Sequence, residues 1–177
     1  MIVVSDSTPL IHLAKAGLIE ILFSLYKEIL ITNEVYREVV VEGNLLEKED
    51  AGVVQNYVGS SIHVKNPKSS SQHLVEKYPI HRGEADSIQL ALETGAQLIL
   101  MNEREGRNAA KSEGLRVKGS IGVLFDALKA GLINEEEALS ILLKFRDSPQ
   151  VFWIEPDIIE ETMKKIKKGI SGKTNQK

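Results

Sequence analysis

The sequence predicts an α/β domain built on a parallel sheet, because short apolar segments alternate with helical ones along the chain. Each segment of the first kind is a brief run containing branched apolar residues, which is typical of a buried strand. These runs fall at residues 2–5, 28–31, 61–65, 97–101 and 116–118. Strands separated by helices favour a sheet that helices cover on both faces.

Helices are expected between and after these strands. Thr8 is suited to cap the first helix and Pro9 to occupy its first position. Either Thr32 or Asn33 is expected to cap a later helix that Gly43 closes. The predicted helical segments are 9–16, 18–26, 34–42, 45–58, 83–93, 103–113, 120–130, 134–146 and 156–168, and residues 66–71 form a polar loop.

The 177 residues fit one globular domain, since 42% of them are apolar and 27% are charged. We expect this domain to cover residues 1–168, C-terminal helices included, and residues 169–177 to form a flexible polar tail. The chain has no cysteine, which excludes disulfides and thiolate zinc sites and is typical of the reducing cytoplasm. With neither a basic leader nor a long apolar run, we expect a cytoplasmic protein without membrane contact.

Two polar positions follow predicted strands at the end of the sheet where ligands bind in parallel α/β folds. Asp6 comes directly after the first strand, and Asn102 and Glu103 follow the fourth. Asp6 has an alternative interpretation as a turn or helix cap, and Asn102 as the cap of the next helix. Their common position nevertheless predicts that Asp6 and Glu103 lie at the same edge of the sheet.

Three more acidic residues lie on helices that follow strands or loops. Glu38 lies among apolar residues of the segment 34–42, where an exposed acidic stripe is the alternative. Glu84 and Asp86 lie in the first turn of the segment 83–93, where acids also suit the helix dipole. Carboxylates gathered in one place repel one another unless a cation intervenes, and hard oxygen ligands favour Mg²⁺ or Mn²⁺. The net charge of −3 is compatible with such an acidic metal site.

These segments resemble the PIN domain family of metal-dependent ribonucleases, and within it a prokaryotic subfamily of predicted nucleic-acid-binding proteins. The similarity includes Val-Val-Ser-Asp-Ser-Thr-Pro at 3–9 and His-Arg-Gly-Glu-Ala-Asp-Ser at 81–87. In order and spacing it covers most of residues 2–132, through the stretches 3–11, 33–39, 81–91 and 99–132. The resemblance implies a three-layer α/β/α fold with a central parallel sheet, followed here by extra C-terminal helices.

The resemblance also implies roles for individual residues. The catalytic acids fall on Asp6, Glu38, Glu84 and Glu103, and the expected ligands of Mg²⁺ or Mn²⁺ are Asp6, Glu84, Glu103 and Asp86. Ser7 and Asn102 are expected to support these acids. The subfamily usually has two adjacent aspartates where this chain has Asn102 and Glu103, a departure that predicts weaker metal binding or lower activity.

Arg104 and Arg107 begin the helix after Glu103, and two interpretations of them stay open. They are positioned either to clamp RNA phosphates or to pair with neighbouring carboxylates. Taken together, the sequence predicts a metal-dependent endoribonuclease acting on RNA, most simply on single strands. The alternative is a weakly catalytic PIN-like module that binds nucleic acid, or a toxin-like protein held by an antitoxin. We also expect a homodimer, since Phe152 and Trp153 dock either the last helix or a second copy of the chain.

Overall fold

The central element of the fold is a parallel sheet of five short strands. A computed structural model describes the backbone of residues 1–174 and the side chains of residues 1–168. The strands are β1 Val3–Ser5, β2 Ile29–Ile31, β3 Ile62–Val64, β4 Leu98–Leu100 and β5 Val117–Lys118. They are arranged in the order β3-β2-β1-β4-β5, and every pairing is parallel. The predicted fold class, helices around a central parallel sheet, is confirmed.

The strands alternate their side chains between two apolar layers, as the twofold period of a strand requires. One layer contains Val3, Ile29, Ile31, Leu98 and Leu100, together with apolar residues of the first helices. The opposite layer contains Val4 and Ile99 and the inward faces of the helices that precede and follow β4. Because both faces of the sheet are covered, the inner strands β2 and β4 are short apolar runs instead of alternating ones.

The helices connect and cover these strands. They are α1 Ser7–Lys15, α2 Ile19–Tyr26, α3 Asn33–Tyr36, α4 Gly43–Leu45, α5 Glu49–Gln55, α6 Gln72–Lys77, α7 Arg82–Thr94, α8 Arg104–Ser112, α9 Ser120–Lys129, α10 Glu135–Asp147, α11 Pro149–Phe152 and α12 Pro156–Thr174. No single helix in the described part of the chain is long and apolar enough to cross a membrane. Among the described residues, the bent pair α1 and α2 taken together reaches that length and composition, across a bend of 119°.

Two predicted helix starts are resolved by the structure. The first helix begins at Ser7 with Asp6 at its N-cap, so the prediction of Thr8 as the cap is wrong. Asp6 has the extended backbone of a cap residue, with ψ at 173°, and Thr8 lies inside the first turn. At the start of α3, Thr32 is the cap, because its hydroxyl accepts a hydrogen bond of 3.2 Å from the Val35 N–H.

The helix predicted for 34–42 differs most from expectation. It consists of α3, a π-helical turn at Arg37–Glu42 and α4, and it continues through Gly43 instead of ending there. Gly43 has helical dihedrals, and a Cβ on it would lie 2.6 Å from the Ala51 Cβ. The glycine therefore permits close packing against α5. A glycine that ends a helix and a glycine that allows close packing look the same in a sequence, so the prediction chose the wrong role. The short helices α6 and α11 were not predicted, because a helix of so few residues is too short to produce a helical period in the sequence.

The described chain forms two compact units, the first running from Met1 to Val123 and the second beginning at Leu124. In the second unit, α10 packs against α12, and the Phe145 and Phe152 rings lie 4.6 Å apart between centroids. Phe152 is thus buried within this unit, whereas Trp153 is 72% exposed. The predicted tail at 169–177 overlaps the end of α12, and residues 175–177 lie outside the described residues.

Candidate active site

The acidic residues that follow β1 and β4 lie at the point where the strand order reverses. Successive strands run outward from β1 to β3 on one side, and β4 starts the other side next to β1. Ser5 is in register with Leu100, and the Asp6 N–H donates a 2.9 Å hydrogen bond to the Leu100 carbonyl. Asp6 and Glu103 therefore lie at the same end of adjacent strands, the usual position of ligand sites in such sheets.

Asp6 is the innermost of the four predicted catalytic acids. Its side chain is only 6% exposed, and the Ser87 hydroxyl of α7 donates to its Oδ1 at 3.5 Å. Burial, together with the charges of Glu84, Glu38 and Glu103, raises the pKa of Asp6 to about 7, against the opposing effect of the Ser7 N–H. The structure thus brings the four acids close enough for their charges to interact.

Glu84 has two different oxygens. Its Oε2 accepts a 2.9 Å hydrogen bond from the His81 N–H, which caps the start of α7. Its Oε1 is buried and has no hydrogen-bond partner among the protein atoms that the structure describes. Burial raises the pKa of Glu84, and the His81 N–H opposes that shift. The helix cap therefore uses one oxygen of Glu84 and leaves the other without a hydrogen bond from the described protein atoms.

Glu38 and Glu103 are exposed at the rim of the site and are oriented by hydroxyls of α1. The Ser7 hydroxyl donates to Glu38 Oε2 at 2.6 Å, and the Thr8 hydroxyl donates to Glu103 Oε1 at 3.3 Å. The supporting role predicted for Ser7 therefore has a structural basis in its bond to Glu38. Thr8 was expected only as a cap, and its position two residues after Asp6 was the sole sequence signal for this contact.

The donor set suits a hard divalent cation, because carboxylate oxygens are the ligands that Mg²⁺ and Mn²⁺ prefer. The buried, unpaired Glu84 Oε1 is an oxygen that such a cation can satisfy. Yet among the residues with described side chains, no three His, Asp or Glu residues are arranged as a metal-binding group. The chemistry of the site therefore fits a divalent cation, while the ligand geometry itself is not formed.

Asp86 is separate from the other acids, although it was predicted to assist them. It accepts a 2.5 Å hydrogen bond from the Ser71 hydroxyl, and the Arg82 Nε lies 3.6 Å from its Oδ1. The physical reason is helix geometry, since residues two apart on α7 point to different sides. Asp86 therefore faces the loop before α6, and Glu84 faces Asp6.

Asn102 joins three elements behind the site. Its Nδ2 lies 2.9 Å from His12 Nδ1 on α1 and donates to the Ser120 hydroxyl at 3.0 Å. Its Oδ1 accepts a 2.8 Å hydrogen bond from the Ser120 N–H at the start of α9. Burial lowers the pKa of His12 to about 4, so its ring is neutral at pH 7. The amide at position 102 is thus tied to a buried network, which sequence reasoning missed because His12 and Ser120 are far away in the chain.

The two arginines after Glu103 differ in their surroundings. Arg104 is exposed on the first turn of α8. Arg107 is half-buried, and its Nη1 donates to the Met101 carbonyl at 3.1 Å, close to Gly119. Burial lowers the pKa of Arg107. Arg104 is therefore the more accessible of the two cations for a phosphate, and Arg107 fixes α8 to the end of β4.

A family model described as PIN domain (DUF3368) matches residues 2–168. No curated protein matches the chain. The family match confirms the resemblance read from the motifs and extends it past residue 132 through the C-terminal helices.

Proposed function

Because the chain belongs to the PIN domain family and has its nuclease-like fold, we propose that it is a metal-dependent endoribonuclease. It hydrolyses phosphodiester bonds of single-stranded RNA. The observation that carries the proposal is the gathering of three carboxylates, each from a separate segment, around the buried carboxyl of Asp6. The unpaired, buried Glu84 Oε1 supports it, because a protein rarely leaves such an oxygen without a partner.

Asp6, Glu84 and Glu103 are the residues that would hold Mg²⁺ or Mn²⁺. When bound, such a cation supplies Lewis-acid stabilisation of the charge that develops on the phosphodiester. Burial of Asp6 and Glu84 shields these carboxylates from bulk solvent and strengthens electrostatic interactions there. Ser7 holds Glu38 Oε2, so Glu38 Oε1 is the oxygen that accepts a proton from the attacking water.

The test is a single-turnover cleavage assay on a labelled single-stranded RNA, with Mn²⁺, with Mg²⁺ and with a chelator. Asp6→Asn and Glu84→Gln should each lower the rate about 100-fold or more, because each removes a charged ligand from the centre. Glu42→Gln is the matched control. Glu42 lies on the same helical segment as Glu38, is exposed and pairs only with the surface residue Arg37 among the described ion pairs.

Wild-type cleavage that persists in chelator would contradict the proposal, and so would cleavage by the Asp6→Asn variant at the wild-type rate. Circular dichroism of each variant separates loss of the fold from loss of the chemistry. Equal loss in Glu42→Gln would show that general acidity of this surface, and not the four acids, controls the rate.

A second candidate function is a PIN-like module that binds RNA, or is held by an antitoxin, with little catalysis. The observation that favours it is that the acids are not arranged as a metal group and that Asn102 is tied to His12. A wild-type protein that binds RNA but is inert with both metals would select this candidate. Light scattering of the purified protein would test the predicted homodimer in the same preparation.

A further inference from the structure

A polar cleft of about 370 Å³ opens where the chain leaves β2 and β3. One wall is the start of α3 at Asn33, and the other is the loop 66–71 with the first turn of α7. Lys68, Ser69 and Ser70 of that loop line the cleft, and Arg82 lines it from α7. The cleft thus offers two amides, two hydroxyls, two cations and two carboxylates on one concave surface.

The loop 66–71 is fixed in place although it is polar and exposed. The Glu93 carboxylate accepts hydrogen bonds from the Lys68 N–H at 2.7 Å and the Ser69 N–H at 2.8 Å. Asn66 Oδ1 accepts a 2.9 Å hydrogen bond from the Asn33 N–H, which ties the loop to α3. With the loop held at Asn66, Lys68 and Ser69, its backbone is preorganised, which lowers the entropy cost of binding a ligand.

Charge in the cleft is balanced. Lys68 and Arg82 supply two cations, while Glu34 and Asp86 supply two carboxylates. A bare anion such as free phosphate would gain little from this balance. A nucleotide suits it better, because the cations attract its phosphate while amide and hydroxyl groups hydrogen-bond the exposed edges of an unpaired base.

The cleft lies across the first turn of α7 from the acidic residues. Arg82 and Asp86, about one turn apart on α7, line the cleft, and Glu84 between them faces Asp6. The two sites are therefore separated by about one helix diameter, roughly 10 Å. Glu34 Cγ, on the cleft wall, would lie 3.5 Å from a Cβ on Gly83, so α3 and α7 leave no gap between the sites at this point.

We propose that this cleft binds a nucleotide of single-stranded RNA that flanks the phosphodiester held at the acidic residues. The inference rests on the proposed function for its substrate class. Beyond that function, a separate subsite in the cleft binds the nucleotide through its own side chains. Lys68 and Arg82 contact the backbone, and Asn33 contacts the base, so the cleft contributes both affinity and a preference among bases.

The experiment measures binding and cleavage separately. Fluorescence anisotropy in chelator gives the Kd for labelled homopolymeric RNA oligonucleotides of each base, and single-turnover assays with Mn²⁺ give the rate on the same oligonucleotides. Lys68→Ala and Asn33→Ala should each raise the Kd about 5- to 20-fold. Neither change removes a backbone N–H that anchors the loop. Asn33→Ala should also narrow the difference in Kd among the four bases.

Lys65→Ala is the matched control, because Lys65 is an exposed lysine three residues earlier and lies outside this cleft. An equal rise in Kd for Lys65→Ala and Lys68→Ala would overturn the proposal, since it would reduce the effect to general charge. A wild type that binds none of the oligonucleotides would overturn it as well. Weaker binding in the cleft variants of a protein that never cleaves would support the subsite while contradicting the proposed catalysis. Normal cleavage and a normal Kd in those variants would contradict the subsite while supporting the proposed catalysis.

Discussion

The protonated form of Asp6 favours the stability of the fold, whereas the proposed metal binding needs its charged form. Its folded-state pKa of about 7 lies above the ordinary value of 3.8, so the folded protein prefers this carboxyl protonated. The resulting stability is fully present below about pH 3.8 and is lost as the pH rises through 7. Without metal, the charged form therefore weakens the fold at neutral and alkaline pH.

Replacing Asp6 with asparagine should remove that penalty. Asp6→Asn is expected to raise the free energy of unfolding by about 2–4 kcal/mol at pH 8 in chelator, and to change it little at pH 4. Urea denaturation at the two pH values measures the difference. A variant that is less stable than the wild type at pH 8 would show that other interactions stabilise the buried charge despite the repulsion of the neighbouring acids.

Asn102 gives a second test at the residue scale. Asn102→Asp restores one of the two acids usual in the subfamily, yet it removes the Nδ2 that bonds His12 and Ser120. A carboxylate would face the lone pair of His12 Nδ1, and burial opposes protonation of that ring. The variant should therefore lose about 1–3 kcal/mol of stability and some cleavage activity.

Chemical denaturation and the cleavage assay measure both effects in the same protein. Asn108→Asp on α8 is the control, because Asn108 is exposed and the same change there should leave stability nearly unaltered. Higher activity in Asn102→Asp with unchanged stability would mean that an acid at 102 acts as a ligand and that the network is dispensable.

At the scale of elements, the packing of α8 on α7 depends on Gly106. A Cβ on this residue would collide with Glu84 Oε1 and with the Met101 Sδ. Gly106→Ala should therefore displace Glu84 and lower the cleavage rate, although alanine favours the helix by about 1 kcal/mol. Gly52→Ala on α5 is the matched control, since no atom lies within 4 Å of its added Cβ. Full activity in Gly106→Ala would show that Glu84 tolerates movement.

Local features of the elements could be predicted from the sequence, whereas contacts between distant elements could not. The strands and the acids that follow them were predictable, because a buried strand has a local apolar signature and its end fixes the next residue. Asp86 was assigned to the acidic group because it lies near Glu84 in sequence, but the helix turns it towards Ser71. The contact of Asn102 with His12 spans 90 residues, and no local pattern encodes such a distance.

At the scale of the whole molecule, a bound cation should stabilise the fold, because it binds the folded carboxylates and not the unfolded chain. Millimolar Mn²⁺ should raise the Tm at pH 7.5, and the gain should vanish as acid protonates Asp6 and Glu84. Differential scanning fluorimetry across pH measures this. An equal shift in the double variant Asp6→Asn with Glu84→Gln would assign the effect to metal bound elsewhere.

The strand order has a consequence for the chain as it is being made. β1 is synthesised before β4, yet β4, at Leu98–Leu100, is one of its two neighbours in the sheet. Until that strand and Glu103 emerge, Asp6 has neither its hydrogen-bond partner Leu100 nor the last acid of its group. A nascent chain that has not yet reached Glu103 therefore lacks the complete acidic group, so any cleavage that depends on all four acids can begin only after β4 has been made.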